Sequence, residues 1–352
     1  MSQSSAQLDS PLDRLPLVTL YLTERCNSRC RSCDYWRHGR TDLTQERLQA
    51  LLPSLERLQT RVALISGGEP LLHPDWAEIA LALRQRGLKL WLLTSGLSLA
   101  KHATRVAQLF DSVTVSLDGT DPATYAAIRG LDAFERVCTG IRCAADAGAA
   151  VGVRVTVQRA NFRQLPRFVA LARSLGARQV SFLAVDVASP HAFGRSDDFE
   201  QDLALHPDEL PQLEQVLGEL QAAYAAELAS GFIAESPRRL ARLHQYFSAV
   251  CGVAPFPPVR CNVFEYAAVV GATARVSPCF FIPGPSESAG SGAHSGIGRD
   301  LESQLNSEPM RRLRQAIRRG ERAECKRCVC SLWREPAERS ADEFLLRPRA
   351  RA

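Results

Sequence analysis

Six apolar, strand-like runs alternate with amphipathic helical segments, and this alternation constrains the fold more than any other feature of the sequence. The runs are Leu17–Leu22, Val62–Ser66, Lys89–Thr94, Ser112–Leu117, Val151–Gln158 and Gln179–Val185. Strands that alternate with helices form parallel βα units, because each crossover helix returns the chain to the same end of the sheet. The sequence therefore predicts an α/β fold with a parallel sheet over residues 15–187.

Two helix starts follow from local signals. Asp42 with Gln45 three residues later predicts a capping box at the start of the first helix. Pro74 predicts the first helical position of the next helix, which we expect to end before Gly87.

Composition limits the class of protein. The chain has 352 residues, 45% of them hydrophobic, and no run approaches the roughly 18 to 20 apolar residues that span a bilayer. The N-terminus has no charged region followed by an apolar one. We therefore expect a soluble, cytoplasmic protein without a membrane partner. Its eleven cysteines do not indicate a disulfide framework; the clustered ones are expected to be metal ligands, and Cys138 and Cys143 to be core thiols.

The net charge of +5 is concentrated late in the chain, in residues 310–320 and 347–351. No aromatic residues are interleaved with these basic residues, so a solvated helix face explains them better than a nucleic-acid partner does. Docking of an acidic redox partner there remains open.

Three cysteines, Cys26, Cys30 and Cys33, follow the first strand with the spacing C-x3-C-x2-C. Three thiolates leave one iron of a four-iron cluster open, whereas a structural zinc site takes four ligands. With Asn27 after the first cysteine, the motif resembles that of the radical S-adenosylmethionine (radical SAM) superfamily. The resemblance implies a partial (β/α)6 barrel of the TIM type, a [4Fe-4S] cluster with an open iron, and S-adenosylmethionine as cofactor.

The segment after the second strand resembles the GGEP motif of that superfamily. Paired glycines let the backbone approach a ligand closely, and a carboxylate can meet an ammonium group. By resemblance, the segment binds the methionyl amine of S-adenosylmethionine through Gly67, Gly68, Glu69 and Pro70.

Further cofactor contacts are expected at later strand ends. Ser116 and Asp118 lie two residues apart and share a face, which favours contacts with ribose hydroxyls; a strand-end Asp-Gly turn is the alternative. Ser95 lies in Thr-Ser-Gly, which is similar to the superfamily's Thr-Asn-Gly.

Superfamily members commonly carry an aromatic residue just before the third cysteine, but this chain has Ser32 there. Tyr35 or Trp36 could pack on the adenine instead, with packing of the loop on the barrel as the equal alternative.

Three barrel-facing residues are candidate catalytic groups: Asp186, Arg154 and Tyr21. A charged arginine inside a barrel strand needs a buried partner such as a carboxylate, cofactor or substrate. Asp186 follows the last barrel strand and could act as a base, or it could cap a turn.

Residues 188–258 break the βα rhythm with helical stretches over Pro207–Leu228 and Pro237–Phe247. We interpret them as a helical cap inserted beside the open end of the barrel, either a substrate lid or a structural spacer. Four titratable side chains of this region are expected to be solvated: His191, Arg195, His206 and His244.

A second cysteine set follows, with Cys261, Cys279, Cys325 and Cys328. Four thiolates could close a zinc site. The surrounding pattern, with a hairpin-like Ala267–Val276 and a helix Glu308–Arg319, instead resembles the twitch and SPASM modules, which hold auxiliary [4Fe-4S] clusters.

A full SPASM domain uses seven cysteines for two clusters, so the resemblance implies the one-cluster twitch form. The predicted organisation is a flexible N-terminus (1–14), the barrel (15–187), the cap (188–258), a small cysteine-rich twitch-like α+β domain (259–333) and a basic tail (334–352). Cys330 is the first alternative auxiliary ligand and Cys251 the second.

The resemblance implies an oxidoreductase that cleaves S-adenosylmethionine reductively to a 5′-deoxyadenosyl radical, which removes hydrogen from the substrate while the auxiliary cluster accepts an electron. The twitch layout is similar to that of sugar-alcohol dehydrogenases, so a small polar sugar or cyclitol is the first expected substrate. A maturase acting on a peptide side chain is the alternative. We expect no separate peptide-recognition domain before the barrel, and this expectation favours the small molecule.

The resemblance also implies a flavodoxin-type or ferredoxin-type reductant. A zinc-dependent nucleic-acid-binding module is the remote alternative, and it predicts a steep dependence of binding on salt.

Overall fold

A mixed sheet lies at the centre of the protein, whose computed structural model describes residues 11–189, 192–195, 203–285 and 300–335. Its strands are β1 (Leu17–Thr23), β2 (Val62–Gly67), β3 (Lys89–Thr94), β4 (Ser112–Ser116), β5 (Val151–Val157), β6 (Gln179–Ala184), β7 (Ala267–Val270) and β8 (Val276–Ser277). They are ordered β6-β5-β4-β3-β2-β1-β7-β8. Strands β1 to β6 are parallel neighbours, so the predicted α/β fold with a partial barrel is confirmed.

The helices surround this sheet. They are α1 (Tyr35–His38), α2 (Gln45–Arg57), α3 (Trp76–Arg84), α4 (Leu99–Leu109), α5 (Pro122–Arg129), α6 (Phe134–Asp146), α7 (Leu165–Ser174), α8 (Leu210–Ala223), α9 (Ala225–Ser230), α10 (Pro237–Val250), α11 (Leu301–Leu305), α12 (Glu308–Arg318) and α13 (Ala323–Lys326). None of the described helices is long and apolar enough to cross a bilayer.

The strands alternate between a face covered by helices and a face that lines the interior of the barrel. In β5 the four valines are fully buried, while Gly152, Arg154 and Thr156 between them are only partly buried. This alternation follows from the two-residue period of a strand. It places polar side chains on the inner face.

Two predicted helix starts are wrong. Helix α2 begins at Gln45 with Thr44 as its N-cap, whose side chain accepts from the Arg47 backbone N–H at 3.3 Å. Asp42 instead pairs with Arg25 at 2.7 Å, because the chain there still runs beside β1. Helix α3 begins at Trp76, two residues after Pro74.

Later segments extend both edges of the six-stranded sheet. Strand β7 pairs in parallel with β1, and β7 and β8 form an antiparallel hairpin, as the sequence predicts. At the other edge, Val180 of β6 donates to the Phe232 carbonyl at 2.7 Å and accepts from Ala234 at 2.9 Å. The C-terminal cysteine region is therefore built onto the barrel through a continuous sheet.

The predicted cap consists of helices α8, α9 and α10. Helix α8 packs against α7, and α10 packs against α8 and β6. These helices therefore cover the β6 side of the barrel. Their role as lid or spacer stays a prediction, and His191, residues 1–10 and residues 336–352 lie outside the described residues.

Candidate active site

The first cysteine loop follows β1 and lies against the C-terminus of α5. The backbone N–H groups of Arg29 and Arg31 donate to the carbonyls of Arg129 and Ile128 at 3.0 and 3.1 Å. Trp36 donates from its indole to the Cys30 carbonyl at 3.3 Å. The loop is therefore fixed by a helix end that lies about a hundred residues later in the chain, and Trp36 contributes to its packing.

Gly67 and Gly68 lie against the start of this loop. Gly67 has φ +122°, and a Cβ on Gly68 would lie 2.3 Å from the Arg25 carbonyl oxygen. The Gly68 N–H donates to the Thr23 carbonyl at 2.8 Å. The paired glycines thus allow a close approach to the backbone before Cys26, and their predicted contact with S-adenosylmethionine stays a prediction.

Glu69 is completely buried, and its carboxylate is held by donors at the end of β3. The Thr94 hydroxyl donates to it at 2.9 Å, the Ser95 N–H at 2.6 Å and the Leu71 N–H at 3.1 Å. Burial nevertheless raises the pKa of Glu69. Pro70 begins a short 3-10 turn, and the Ser95 hydroxyl donates to the Asn27 side chain at 3.3 Å. Glu69 thus links the predicted cofactor segments.

Asp118 forms a buried ion pair that reaches the first cysteine loop. Its Oδ2 lies 2.8 Å from Arg129 Nε, and its Oδ1 accepts from the Thr156 N–H at 2.7 Å. Arg129 Nη1 donates to Cys30 Sγ at 3.1 Å. Both carboxylate oxygens of Asp118 are therefore engaged, and its predicted ribose contact stays a prediction.

The thiols of this loop lie in a largely desolvated place. Burial raises the pKa of Cys26 to about 11 and also raises the pKa of Cys33. Cys33 Sγ donates to the Phe193 carbonyl at 3.4 Å. Because a metal ligand must be a thiolate, iron binding here must release protons.

Tyr21 and Tyr35 form an aromatic cluster with Phe280 between the two cysteine regions. The ring centroids of Tyr21 and Tyr35 are 5.9 Å apart, and those of Tyr21 and Phe280 are 6.4 Å apart. Burial, followed by the neighbouring Tyr35, raises the pKa of Tyr21, so it is a neutral phenol. Its catalytic role and the adenine contact of Tyr35 stay predictions.

Arg154 and Ser116 lie opposite each other in the β4–β5 register. Arg154 Nε donates to the Ser181 hydroxyl at 2.7 Å. The guanidinium therefore spans neighbouring strands on the inner face of the barrel, where the sequence places it.

Asp186 is a turn cap that is also paired with Arg195. Its Oδ1 accepts from the N–H groups of Ala188 and Ser189 at 2.9 and 3.2 Å, and its Oδ2 lies 3.5 Å from Arg195 Nη1. Each of the two charged side chains is 2% exposed. The expectation that Arg195 is solvated is therefore wrong, and the predicted role of Asp186 as a base stays a prediction.

The second cysteine set lines a large cavity. Cys261, Cys279, Cys325, Cys328 and Cys330 all contribute to its wall. Burial raises the pKa of Cys279 to about 12 and that of Cys325 to about 11. Cys251 does not line it, and its thiol donates to the Leu205 carbonyl at 3.1 Å. Of the two alternative ligands, only Cys330 lies with the set.

Asn262 joins the C-terminal segment to the strand region beside Cys261. Its side-chain amide donates to the Arg334 carbonyl at 2.7 Å and accepts from the Arg334 N–H at 3.0 Å. The Asn262 N–H donates to the Leu332 carbonyl at 2.9 Å. These three hydrogen bonds, which we call the Asn262 clamp, hold the segment after Cys330 beside Cys261.

The first loop fits an iron–sulfur cluster. Two buried hydroxyls near its thiols have no hydrogen-bond partner in the described part of the chain. They are Ser28 Oγ, next to Cys26, and the Tyr125 OH, near Cys30. Unpaired buried hydroxyls are costly unless an acceptor is present, and cluster sulfurs are such acceptors. Across the described ranges, no three His, Cys, Asp or Glu side chains converge on one metal ion, so neither cysteine set is preformed as a metal site and zinc stays an alternative at the second set.

The cavity has a volume of about 1990 Å³ and is lined by inner-face side chains of the barrel strands, whereas the three cysteines of the first loop and the Gly67–Pro70 segment do not line it. Barrel side chains including Leu64, Thr114 and Arg154 line it together with the second cysteine set. Several aromatic residues also line it: Trp91, Phe193, Phe256, Phe264, Phe280 and Phe281.

Sequence reasoning missed Arg129, Arg195 and Asn262. Each acts through a partner from another part of the chain, so no local spacing identifies it. Arg129 had one weak signal, since it precedes a helix-ending glycine after the Asp118 strand, where a βα unit brings its ends together.

Residues 20–172 match the family described as the Radical SAM superfamily. A pre-heme d1 synthase from Dinoroseobacter shibae is 38% identical over 44% of this chain and 40% of its own length. The mycofactocin maturase MftC from Mycobacterium tuberculosis is 29% identical over 59% of this chain and 53% of its own. This chain therefore spans about half the length of these relatives or less.

The crystal structure of Streptococcus suis SuiB bound to S-adenosylmethionine has a TM-score of 0.62 to this structure. The two are 12% identical, and the match covers 93% of this chain and 75% of that chain. The similarity therefore concerns the fold of almost the whole chain, including the cysteine-rich C-terminal part.

Proposed function

We propose that this chain, whose residues 20–172 match the Radical SAM superfamily, uses a [4Fe-4S] cluster and S-adenosylmethionine as a maturase that modifies a peptide or protein side chain. This proposal puts first the substrate class that the sequence ranks second. The sugar or cyclitol substrate has no support among the relatives described above.

The observation that carries the proposal is the size of the cavity. Pockets for small molecules measure roughly 300 to 1,000 Å³, whereas this cavity is about 1990 Å³. A sugar would fill only a small part of this space even with an auxiliary cluster at the second cysteine set, and a reactive radical needs a substrate that excludes water and is fixed in place. A peptide segment is large enough to fill the space, and MftC is a maturase.

The residues have distinct proposed roles. Cys26, Cys30 and Cys33 would hold the cluster, and the backbone of Gly67 and Gly68 would face S-adenosylmethionine. Bound together, the two cofactors supply a carbon-centred radical that removes hydrogen from an unactivated C–H bond.

The inner barrel wall would hold the substrate, with Arg154 in position to bind a carbonyl or carboxylate of the peptide. The oxidoreductase class predicted from the sequence rests on the second cysteine set, because a redox centre lining the substrate cavity can carry an electron away.

The experiment is an anaerobic assay with reconstituted protein and peptides encoded beside its gene. We expect a peptide to raise 5′-deoxyadenosine formation above the substrate-free level and to change mass. Thr114→Phe should lower the peptide-dependent part because the ring projects from the cavity wall into the space for the peptide, while Leu81→Phe, on an exposed site of α3, should not. Stimulation that is equal in both variants would contradict substrate binding in the barrel.

A second candidate substrate is a heme-type macrocycle, favoured by the aromatic residues of the cavity wall and by the pre-heme d1 synthase relative. Flat macrocycles stack on aromatic rings, and their carboxylates pair with arginine. A soluble iron porphyrin with carboxylate groups, used in the same assay, separates the two. Stimulation by the porphyrin and by none of the peptides would replace the maturase proposal.

A further inference from the structure

The buried Asp118–Arg129 pair has no part in the roles proposed above, although it contacts a cluster ligand. The Asp118 and Arg129 side chains are only 5% and 11% exposed. Burial would lower the pKa of Arg129, but Asp118 and Cys30 raise it by more, so the guanidinium is charged. A buried charge of this kind is retained only when its position is fixed by partners.

Helix α5 positions the Arg129 guanidinium, because Arg129 is its last residue. The Asp121 side chain caps the N-terminus by accepting from the Thr124 N–H at 2.8 Å. Gly130 ends the helix with φ +70°, and a Cβ there would lie 2.3 Å from the Arg29 carbonyl oxygen. The last carbonyls of α5 accept from the cysteine loop, so backbone and side chain at one helix end hold the same loop.

Asp118 is itself held in place, so it can orient Arg129. The Thr156 N–H donates to its Oδ1, and Asn161 Nδ2 donates to its main-chain carbonyl at 3.0 Å. With Oδ2 beside Arg129 Nε, the opposite edge of the planar guanidinium is directed at Cys30 Sγ. Lysine cannot reproduce this geometry, because its ammonium is a single point charge.

The effect on a bound cluster follows from charge. Net charge and hydrogen bonds to the sulfurs set the reduction potential of an iron–sulfur cluster. Reduction adds a negative charge, which a nearby cation stabilises more strongly in a desolvated place than in water. A donor fixed at a cysteinyl sulfur therefore makes the cluster easier to reduce.

We propose that Arg129, oriented by Asp118, is a positioning residue that raises the reduction potential of the cluster at Cys26, Cys30 and Cys33 by donating to the Cys30 sulfur. The proposal rests on the proposed function only in requiring that this cluster is present. It concerns how readily the cluster is reduced and is independent of the substrate.

The test is an EPR-monitored redox titration of the signal that a Cys26→Ala/Cys30→Ala/Cys33→Ala variant lacks. Arg129→Gln should lower the reduced-to-oxidised ratio at a fixed potential at least tenfold, which is about 59 mV for a one-electron couple. Arg129→Lys should recover part of this loss. Asp118→Asn leaves the Arg129 charge in place beside Cys30, so its potential should stay above that of Arg129→Gln.

Arg129→Gln leaves Asp118 buried without its partner and could fail to fold, so Asp118→Asn is also compared with Asp118→Asn/Arg129→Gln. The double variant buries no charge and should have the lower potential by the same tenfold ratio. Arg84→Gln is the matched control, since it removes an Arg84–Asp111 pair of 3.0 Å at the opposite ends of the strands, and it should change nothing.

Variants that bind the full complement of iron and keep the wild-type potential would overturn the proposal. Wild-type protein that binds no cluster at these cysteines would instead refute the proposed function, so the two failures are distinguishable.

Discussion

The two cysteine regions differ in how the chain assembles them. The first lies within residues 26–33 of one loop. The end of α5 contacts this loop directly, and the Gly67–Gly68 backbone contacts the residues just before it. The second brings together Cys261, Cys279 and residues 325–330 along the wall of a cavity. The backbone of the first loop is therefore held by short contacts within the barrel, whereas the second region depends on a few contacts between distant segments.

Because of this difference, different substitutions should disrupt the two sites. In the first region a small steric change breaks the site, because backbone lies against backbone. In the second region the sensitive point is a hydrogen-bonded clamp at Asn262. The following predictions separate the two regions, beginning with the largest effect.

Gly68→Ala should destroy the first site selectively. The new methyl group would lie 2.3 Å from the Arg25 carbonyl oxygen and 2.6 Å from that of Glu24, so the backbone before Cys26 must move. We expect a loss of about 3 kcal/mol or more in the free energy of unfolding, and loss of the first cluster with retention of the second. Urea unfolding and iron analysis measure both.

The control for this variant is Gly218→Ala in α8, where a Cβ meets nothing within 4 Å. It should stabilise the protein by up to about 1 kcal/mol. Retention of both clusters in Gly68→Ala would show that the first region is less rigidly built than its contacts indicate.

Asn262→Ala should affect the second site alone. The change removes two hydrogen bonds to Arg334 from a residue that is 2% exposed, at a cost of about 1 to 3 kcal/mol. Iron at the second site should fall. Asn306→Ala is the matched control, because Asn306 clamps the Leu12 backbone through the same pair of bonds, at 2.6 and 3.0 Å.

Asn306→Ala should cost similar stability without loss of iron. An equal loss of iron in both variants would mean that global stability, and not the Asn262 clamp, maintains the second site.

The stability of metal-free protein should fall as the pH rises above about 8.5, the usual value for a thiol. Burial raises the pKa of Cys26 to about 11 and that of Cys279 to about 12, so the unfolded chain loses these protons first. Each pKa unit corresponds to about 1.36 kcal/mol. Thermal unfolding between pH 8 and 10 measures this decline, which cluster-loaded protein should not show because its thiols are already deprotonated.

A decline of equal size in the loaded protein would assign the effect to groups other than the cysteines.

Cys330→Ala should have the smallest effect. Four thiols of the second set remain, so the second site should keep about four irons, whereas Cys328→Ala should lose them. Cys251→Ala, outside the cavity wall, should match wild type. Loss of iron in Cys330→Ala would make Cys330 the ligand in place of one of the predicted four.

The sequence predicts the sheet well, because each strand run is set by its own apolar residues. All six predicted barrel strands agree with β1 to β6 within one residue at each end. The helix start at Asp42 fails because Asp42 forms a bridge with Thr23 of β1, a contact that overrides the local capping signal. The helix after Pro74 begins two residues later than predicted, at Trp76. The parallel pairing of β7 with β1 joins segments about 250 residues apart. Local sequence patterns cannot predict such a pairing.

In the candidate site, too, some residues can be predicted from the sequence and others cannot. The spacing of Cys26, Cys30 and Cys33 is visible in the sequence because the ligands lie on one loop. The partners of those ligands are not, since Arg129 reaches Cys30 only after α5 has packed on the loop. Arg195 was expected in solvent for the same reason, because its carboxylate partner is visible only in the folded chain.

The most direct measurement is iron and sulfide per chain, with Mössbauer spectra, in three anaerobically reconstituted proteins. These are wild type, Cys26→Ala/Cys30→Ala/Cys33→Ala and Cys325→Ala/Cys328→Ala. Two independent clusters predict about eight irons in wild type and about four in each variant. About four irons in wild type, falling to none in the first variant and unchanged in the second, would contradict a cluster at the C-terminal set.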